Sequence, residues 1–398
     1  MQEGPTPSQP YSDRFALIAE LHLTLDTGEQ IVIGTDETWQ ATPSPVLESS
    51  IYDGEVYDAR IAGPGVDPTT VRGVRPIEIN SPLQARRSLP VEVIEELKPI
   101  AVLHTPVGET VLDLGQNLVG WLRFKTAAPA ETRIHLQYGE VLQNDCFYND
   151  NLRTAKAKYT YIADGTNAIV EPRFTFFGFR YVKVTVRYVK VTGWVGELDV
   201  NDFTGCVVHS RLDRTGVVET SNPKVNRLFH NALWGQKGNF VDIPTDCPQR
   251  DERLGWTGDT MVFSGTACFN LDSAAFFAKY SYDLAKEQTA RGGVVPARGG
   301  VVPFVVPAAH MQGAGSSVWG DVATVLPWTV YEFYGDRAIL EQQFASMRAW
   351  VDFIRSADEA SGGKRLWTSG FHFGDWLALD GSDPTSPMGG TPEEFIAS

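Results

Sequence analysis

Alternating strand-like segments in the first two hundred residues, helical periodicity after about residue 205, and Pro/Gly-rich connections predict a multidomain β + α chain. Antiparallel β-sandwich domains come first, and an all-α region built from helical hairpins follows. The expected division is a small β-domain over residues 1–97, a second over 98–205 and the helical region over 206–398. Leu17 to Leu25 alternates, turns at Asp26-Thr27-Gly28 and returns as Ile31-Val32-Ile33, a hairpin signal. Further strands are predicted at Ile100–His104, Thr132–Tyr138, Lys158–Ile162 and Phe179–Val186. In the helical region Asn222 is an N-cap with Pro223 at the first helical position, and Val225, Leu228, Phe229, Ala232 and Leu233 form an apolar face. Asp272 would cap a second helix carrying Phe276, Tyr280 and Leu284. A third, from Asp336, places Leu340, Phe344, Met347, Val351 and Ile354 on one stripe.

Composition narrows the function. The 398 residues suffice for two to four domains, and 42% apolar against 21% charged residues excludes a mostly disordered chain. A net charge of −15 argues against nucleic acid and anionic membranes, which need clustered Lys and Arg. No apolar run reaches the roughly 18 residues of a membrane span. The start, MQEGPTPSQPYSDRF, has no basic segment leading into an apolar one, so a cytoplasmic location is expected. Four scattered cysteines without a CxxC pair read as buried thiols in a reducing compartment. Two tandem heptads, RYVKVTV/RYVKVTG from Arg180 and RGGVVPA/RGGVVPF from Arg291, match at six of seven positions. Periods this short, in single pairs, do not build a repeat fold.

The densest constellation is Asp242-Ile-Pro-Thr-Asp246-Cys-Pro-Gln-Arg250-Asp251-Glu252-Arg253-Leu-Gly-Trp256-Thr-Gly-Asp259. Eighteen residues hold five carboxylates, two arginines and a tryptophan, and the prolines forbid a continuous helix. Carboxylates this close repel one another, while Arg250 and Arg253 favour ionisation, so one site could keep an acid beside an anion. A solvated acidic loop with helix-capping Asp residues fits the same composition. Trp256, Trp319 and Trp376 each lie near glycine and aspartate, which suits an aromatic wall with acceptors for hydroxyl groups, as a sugar ring requires. The alternative for each is a core anchor at a helix end. The seven histidines show no paired ligand spacing, and no GxGxxG, GxxxxGK[ST] or GxSxG occurs, so carboxylate chemistry remains.

These residues resemble the bacterial α-L-rhamnosidases of glycoside hydrolase family seventy-eight. SIYDGEVYDAR (Ser50–Arg60) is similar to the end of their N-terminal β-domain. LDLGQNLVGW (Leu112–Trp121), NLRTAKAKYTYIADG (Asn151–Gly165) and EPRFTFFGFRYVKV (Glu171–Val184) resemble their concanavalin-like β-domain. DIPTDCPQRDERLGWTGD (Asp242–Asp259) resembles the signature of their six-hairpin (α/α)6 barrel, with VPFVVP (Val302–Pro307), WGDVATVLPWTVYEFYGD (Trp319–Asp336) and FGDWLALDG (Phe373–Gly381) as later segments. The resemblance implies inverting hydrolysis of terminal α-L-rhamnosyl groups from a glycoside or polysaccharide, without a cofactor. Glu252 falls on the general acid, and Asp246 and Asp259 on carboxylates that hold sugar hydroxyls. Arg250 is placed in the same binding set, Trp256 on a subsite wall, and Trp319 and Trp376 on further walls. For Glu252 to hold a proton, the Arg250 and Arg253 guanidinium groups are expected to point at other carboxylates. Phe177 stands where the family usually has His, and both heptad pairs are additional to the family pattern. The chain is expected to be truncated at both ends. It would hold only the first part of the barrel, with the general base in the later half, since Glu393 and Glu394 lie in a different motif. Another (α/α)6 carbohydrate enzyme, a glucosidase or polysaccharide lyase, and a non-catalytic carbohydrate-binding fragment are the competing readings. The residues leave aglycone, linkage and oligomeric state open, and no calcium-ligand motif is present.

Overall fold

The computed structural model describes residues 16–61, 71–78, 83–187, 198–292, 299–308, 313, 315–381, 383 and 385–397. The predicted hairpin forms as Glu20–Thr24 paired antiparallel with Gln30–Gly34, and it is exposed along nearly its whole length. The main element is a curled ten-stranded sheet. Its path runs Val46–Ser50, Gly54–Asp58, Lys158–Ile162, Arg133–Gly139, Phe177–Arg187, Thr110–Thr126, Phe203–Ser210 and Val91–Leu97. Ala101–His104 and Ala168–Val170 pair with the long strand Thr110–Thr126 off this path. Strands on both sides of residue 97 therefore share one hydrogen-bonded sheet. Every pairing along the path is antiparallel except that of Gly54–Asp58 with Lys158–Ile162.

The long strand serves different neighbours along its length because its backbone turns at two glycines. Its start pairs with Ala101–His104, and residues 120–124 pair with Phe203–Val207. At Gly120, φ is 145° and a Cβ would lie 1.8 Å from the Cys206 carbonyl oxygen, so only glycine lets the strands meet there. The sheet closes over a core that includes Leu112, Leu122, Ile134, Tyr138, Tyr159 and Phe177, all essentially inaccessible. Phe177, the residue in place of the family's usual His, stacks on Tyr138 at 3.9 Å. The first RYVKVTV copy lies in the strand Phe177–Arg187, whereas its second copy falls outside the described residues apart from Arg187.

Six helices follow among the described residues: α1 Pro223–Asn239, α2 Thr257–Asn270, α3 Ala274–Gly292, α4 Val322–Tyr334, α5 Arg337–Ala360 and α6 Glu393–Ala397. The caps are those the sequence signals. Asn222 accepts from the Lys224 N–H, Asp272 from Ala274 and Asp336 from Ala338. Phe276, Tyr280 and Leu284 of α3 are buried as predicted.

The packed faces of α1 and α5 differ from the apolar stripes. On α5 the buried line is Ile339, Gln343, Ser346, Trp350, Phe353 and Ala357, one residue and hence about 100° away from the predicted line. Phe344 is 63% and Val351 54% exposed. The cause is a buried amide. Gln288 of α3 donates to the Ser346 carbonyl at 3.2 Å and to the Gly300 carbonyl at 2.7 Å, and it accepts from the Ser346 hydroxyl at 2.8 Å. On α1, Leu233 is buried but Leu228 is 69% exposed. There Gln236 is inside, donating to the Ala267 carbonyl at 3.2 Å and accepting from the Asn270 amide at 3.0 Å. A buried amide that must find hydrogen-bond partners fixes helix rotation more strictly than a count of apolar residues does.

This phase predicts that Phe344→Lys changes stability by no more than about 0.5 kcal/mol, whereas Phe353→Ala costs about 3–5 kcal/mol. Urea denaturation of the two variants measures both. Equal destabilisation would contradict the rotation of α5.

Candidate active site

The connection from α1 to α2 folds back on itself. The Asp246 N–H donates to the Leu254 carbonyl at 3.1 Å, and the Leu254 N–H returns to the Asp246 carboxylate at 3.0 Å. This closes a loop in which Arg250, Asp251, Glu252 and Arg253 project in different directions. Arg253 takes up a left-handed φ of 50°, and its N–H donates to the Cys247 sulfur at 3.4 Å.

Glu252 lies at the centre. Its Oε1 accepts from the Trp256 indole Nε1 at 2.9 Å. Its Oε2 accepts from Arg250 Nη2 at 3.0 Å and Nε at 3.1 Å, and from Arg153 Nη2 at 3.0 Å. Arg250 also donates to Asp246 Oδ2 at 3.1 Å. The expectation that both guanidinium groups avoid Glu252 therefore fails. Arg250 is drawn to Glu252 because, two residues away in a turn, it can bridge two neighbouring carboxylates at once. Among the described residues Arg253 pairs with no carboxylate. Its buried guanidinium donates to the carbonyls of Ile51 at 2.6 Å, Phe176 at 3.0 Å and Gln249 at 3.3 Å, against the rings of Tyr52 and Phe176. Burial pushes its pKa down to about 10. Ile51 and Phe176 belong to the β-region, so this side chain pins the loop to the sheet. Tyr52 donates to the Glu252 carbonyl at 2.8 Å, and both the Thr154 hydroxyl and N–H donate to Asp251.

A cavity of about 380 Å³ opens between α1 and α2, lined in part by Asn239, Phe240, Thr245, Asp246, Asp259 and Phe263. Burial raises the Asp246 carboxyl above its ordinary value and the Glu252 charge adds to this, while the Leu254 N–H and Arg250 oppose. Asp259, in the first turn of α2, presents surface to solvent yet is also raised, first by the packed cavity wall and then by the Asp246 charge. The Asp246, Cys247 and Glu252 ligand atoms lie within 4.8 Å of one another. The Arg250 cation already neutralises this group and the Cys247 thiol is pushed up to about 12, so the donor set suits a guanidinium better than a metal ion.

The three predicted tryptophans come together on a residue the sequence reading did not single out. Phe373 stacks on Trp319 at 4.1 Å and meets Trp256 at 5.8 Å and Trp376 at 5.3 Å edge to face. Gly258 lets the first turn of α2 lie on Trp319, since a Cβ there would be 2.7 Å from the indole. The aspartates near two of these rings have structural partners. Asp321 accepts from the Val318 N–H at 2.8 Å and the Trp350 indole at 2.9 Å, and Asp375 accepts from Thr391 at 3.1 Å. Trp319 is buried, so it supports the cluster from behind, while Trp376 and Trp256 reach its accessible side. Arg153, Tyr52 and Thr154 are the other residues missed. Arg153 and Thr154 lie within the quoted NLRTAKAK block and Tyr52 within SIYDGEVYDAR, but nothing in either run signals contact with a loop 100–200 residues away.

Two outcomes follow. Arg253→Met leaves three carbonyls without their donor and should cost about 2–4 kcal/mol in chemical denaturation. A value under about 1 kcal/mol would contradict the pinning role. For Asp259 the folded-state pKa is raised, so stability is lost as pH rises from below the unfolded value through the folded one. Asp259→Asn removes that loss. The variant should melt higher than wild type at pH 7 and close to it near pH 3, and the reverse ranking would overturn the electrostatic reading.

Residues 213–398 match the bacterial alpha-L-rhamnosidase 6 hairpin glycosidase domain, 103–209 the concanavalin-like domain of the same enzymes, and 1–95 the alpha-L-rhamnosidase N-terminal domain. The alpha-L-rhamnosidase of Streptomyces avermitilis is 38% identical over 385 residues, covering 94% of this chain and 35% of that protein. One from Alteromonas sp. is 35% identical over 374 residues, covering 90% and 38%. The solved structure of the Aspergillus terreus enzyme superposes with a TM-score of 0.84 at 37% identity, covering 96% of this chain and 43% of that one. The Streptomyces avermitilis enzyme complexed with L-rhamnose gives 0.83 at 36% identity, covering 96% and 35%. The chain thus spans well under half the length of these relatives. Fold, sequence blocks and relatives agree that the chain belongs to the bacterial α-L-rhamnosidase family, glycoside hydrolase family seventy-eight.

Proposed function

We propose that this chain carries the acid side of an enzyme that hydrolyses terminal α-L-rhamnosyl groups with inversion. The observation that supports it most directly is Glu252 itself. Its carboxylate is oriented by an indole N–H on one oxygen and guanidinium groups on the other, a few ångströms from Asp246 and beside the aromatic cluster on Phe373. In this reading Glu252 delivers a proton to the glycosidic oxygen as the bond to the anomeric carbon breaks. Asp246 and Asp259 hold sugar hydroxyls from the cavity between α1 and α2. Trp256 supplies an apolar wall for the ring C–H faces, with Trp376 at its edge. Arg250 holds Asp246 and Glu252 together while carrying the compensating charge.

Inversion needs a second carboxylate roughly 6.5–9.5 Å from the acid to activate water on the opposite face. The substrate class is a rhamnose-containing glycoside or polysaccharide, by similarity to relatives of which one is complexed with L-rhamnose.

In the full-length enzyme, Glu252→Gln should lower kcat on a natural rhamnoside by about 10²–10⁴-fold. Activity near wild type would remove Glu252 from the role. Proton NMR of the first product should show β-L-rhamnose accumulating before mutarotation, and α-L-rhamnose appearing first would contradict inversion.

A further inference from the structure

Arg153 lies on a turn of the β-region, yet it donates to the Glu252 carboxylate at 3.0 Å across 99 residues of sequence. It follows the short 3-10 turn Asp150–Leu152, anchored by the fully buried Leu152, and takes a left-handed φ of 57°. A non-glycine residue in that conformation costs about 1 kcal/mol or more, which glycine would avoid. The side chain is 53% exposed, and an ion pair so open to water stabilises a fold by only about 0–1 kcal/mol. Stability therefore does not account for an arginine at this position. Its neighbours aim it. The Thr154 hydroxyl and N–H hold Asp251, the residue before Glu252, and Asn151 bonds Glu140 at 3.5 Å. Glu140 in turn accepts from Asn117 at 2.9 Å. The whole turn is braced against the loop that carries Glu252.

We propose that Arg153 is a positioning residue for Glu252, supplied by the β-region to hold the carboxylate at the angle fixed by Trp256 until substrate enters. The proposal rests on the reading of Glu252 as the acid. The groups facing Glu252 are Arg250, Asp246, Cys247 and Asp259 from its own connection and α2, with Arg153, Tyr52 and the braced Asp251 at the β-region boundary. Each of the two guanidinium groups on Oε2 has a second carboxylate, Asp246 for Arg250 at 3.1 Å and Asp251 for Arg153 at 3.6 Å, but the Arg250 side chain is 31% exposed and that of Arg153 53%. Arg153 is thus the cation that can swing away when a glycosidic oxygen takes its place, and its departure favours the protonated acid.

Arg153→Gly is the cleanest test because it keeps the turn and relieves the strain, and Arg153→Lys keeps the charge without the planar fork. The first readout needs no activity. The Trp256 indole N–H resonance, hydrogen-bonded to Glu252, should move in Arg153→Gly and return partway in Arg153→Lys, while the Trp350 indole stays fixed. The second is the pH profile of kcat/KM on an aryl rhamnoside. Its alkaline limb should move upward by roughly half a unit to one unit in Arg153→Gly, because a lost cation lets the acid keep its proton to higher pH. An unmoved Trp256 resonance, or a uniformly lowered profile with an unmoved limb, would overturn the proposal. If Trp256 responds but Glu252→Gln leaves hydrolysis intact, the contact stands and the acid assignment fails.

Discussion

A buried guanidinium, without a carboxylate partner among the described residues, joins the two halves of this protein. Arg253 gives its donors to carbonyls from Ile51, Phe176 and Gln249, two from the β-region and one from its own loop. Carbonyls are weaker partners than carboxylates for a desolvated cation, which is why burial pushes this arginine down to about 10. The gain is geometric. A rigid fork read by three backbone oxygens fixes where the loop can lie, and with it the direction of the residues on either side of Arg253. Glu252 precedes it and Trp256 follows by one turn.

From that anchor the electrostatics of the site follow. Burial and the neighbouring carboxylates raise Asp246 and Asp259, and Arg250 with Arg153 supplies positive charge beside them. The two arginines come from different parts of the chain. The carboxylate loop is therefore not self-sufficient. Its charge and its position are both completed by residues of the sheet, which gives a physical reason for a β-region to be packed against a helical glycosidase domain.

Local signals carried much of this. The N-cap residues, the hairpin at Asp26-Thr27-Gly28 and the strand Lys158–Ile162 were legible because caps, turns and alternation are short-range chemistry. The carboxylate loop was legible as a dense cluster, although its composition alone also fits a solvated acidic loop. Helix rotation was not, since Gln236 and Gln288 look like surface residues until their buried partners are known. Arg153, Tyr52 and Phe373 were not singled out because their importance lies in contacts with distant segments. The direction of Arg250 was misjudged for a related reason. Charge arithmetic predicts that cations sit near carboxylates, but which carboxylate receives which donor depends on the turn.

The account turns on proton delivery from Glu252 to the departing oxygen. The most direct test is the dependence of kcat/KM on leaving-group acidity across a series of aryl α-L-rhamnosides, for wild type and Glu252→Gln in the full-length enzyme. If Glu252 is the acid, wild type should show a shallow slope and the variant a steep one, because only the variant leaves the phenolate to depart unprotonated. Parallel slopes would mean that the proton comes from elsewhere, and would contradict the account.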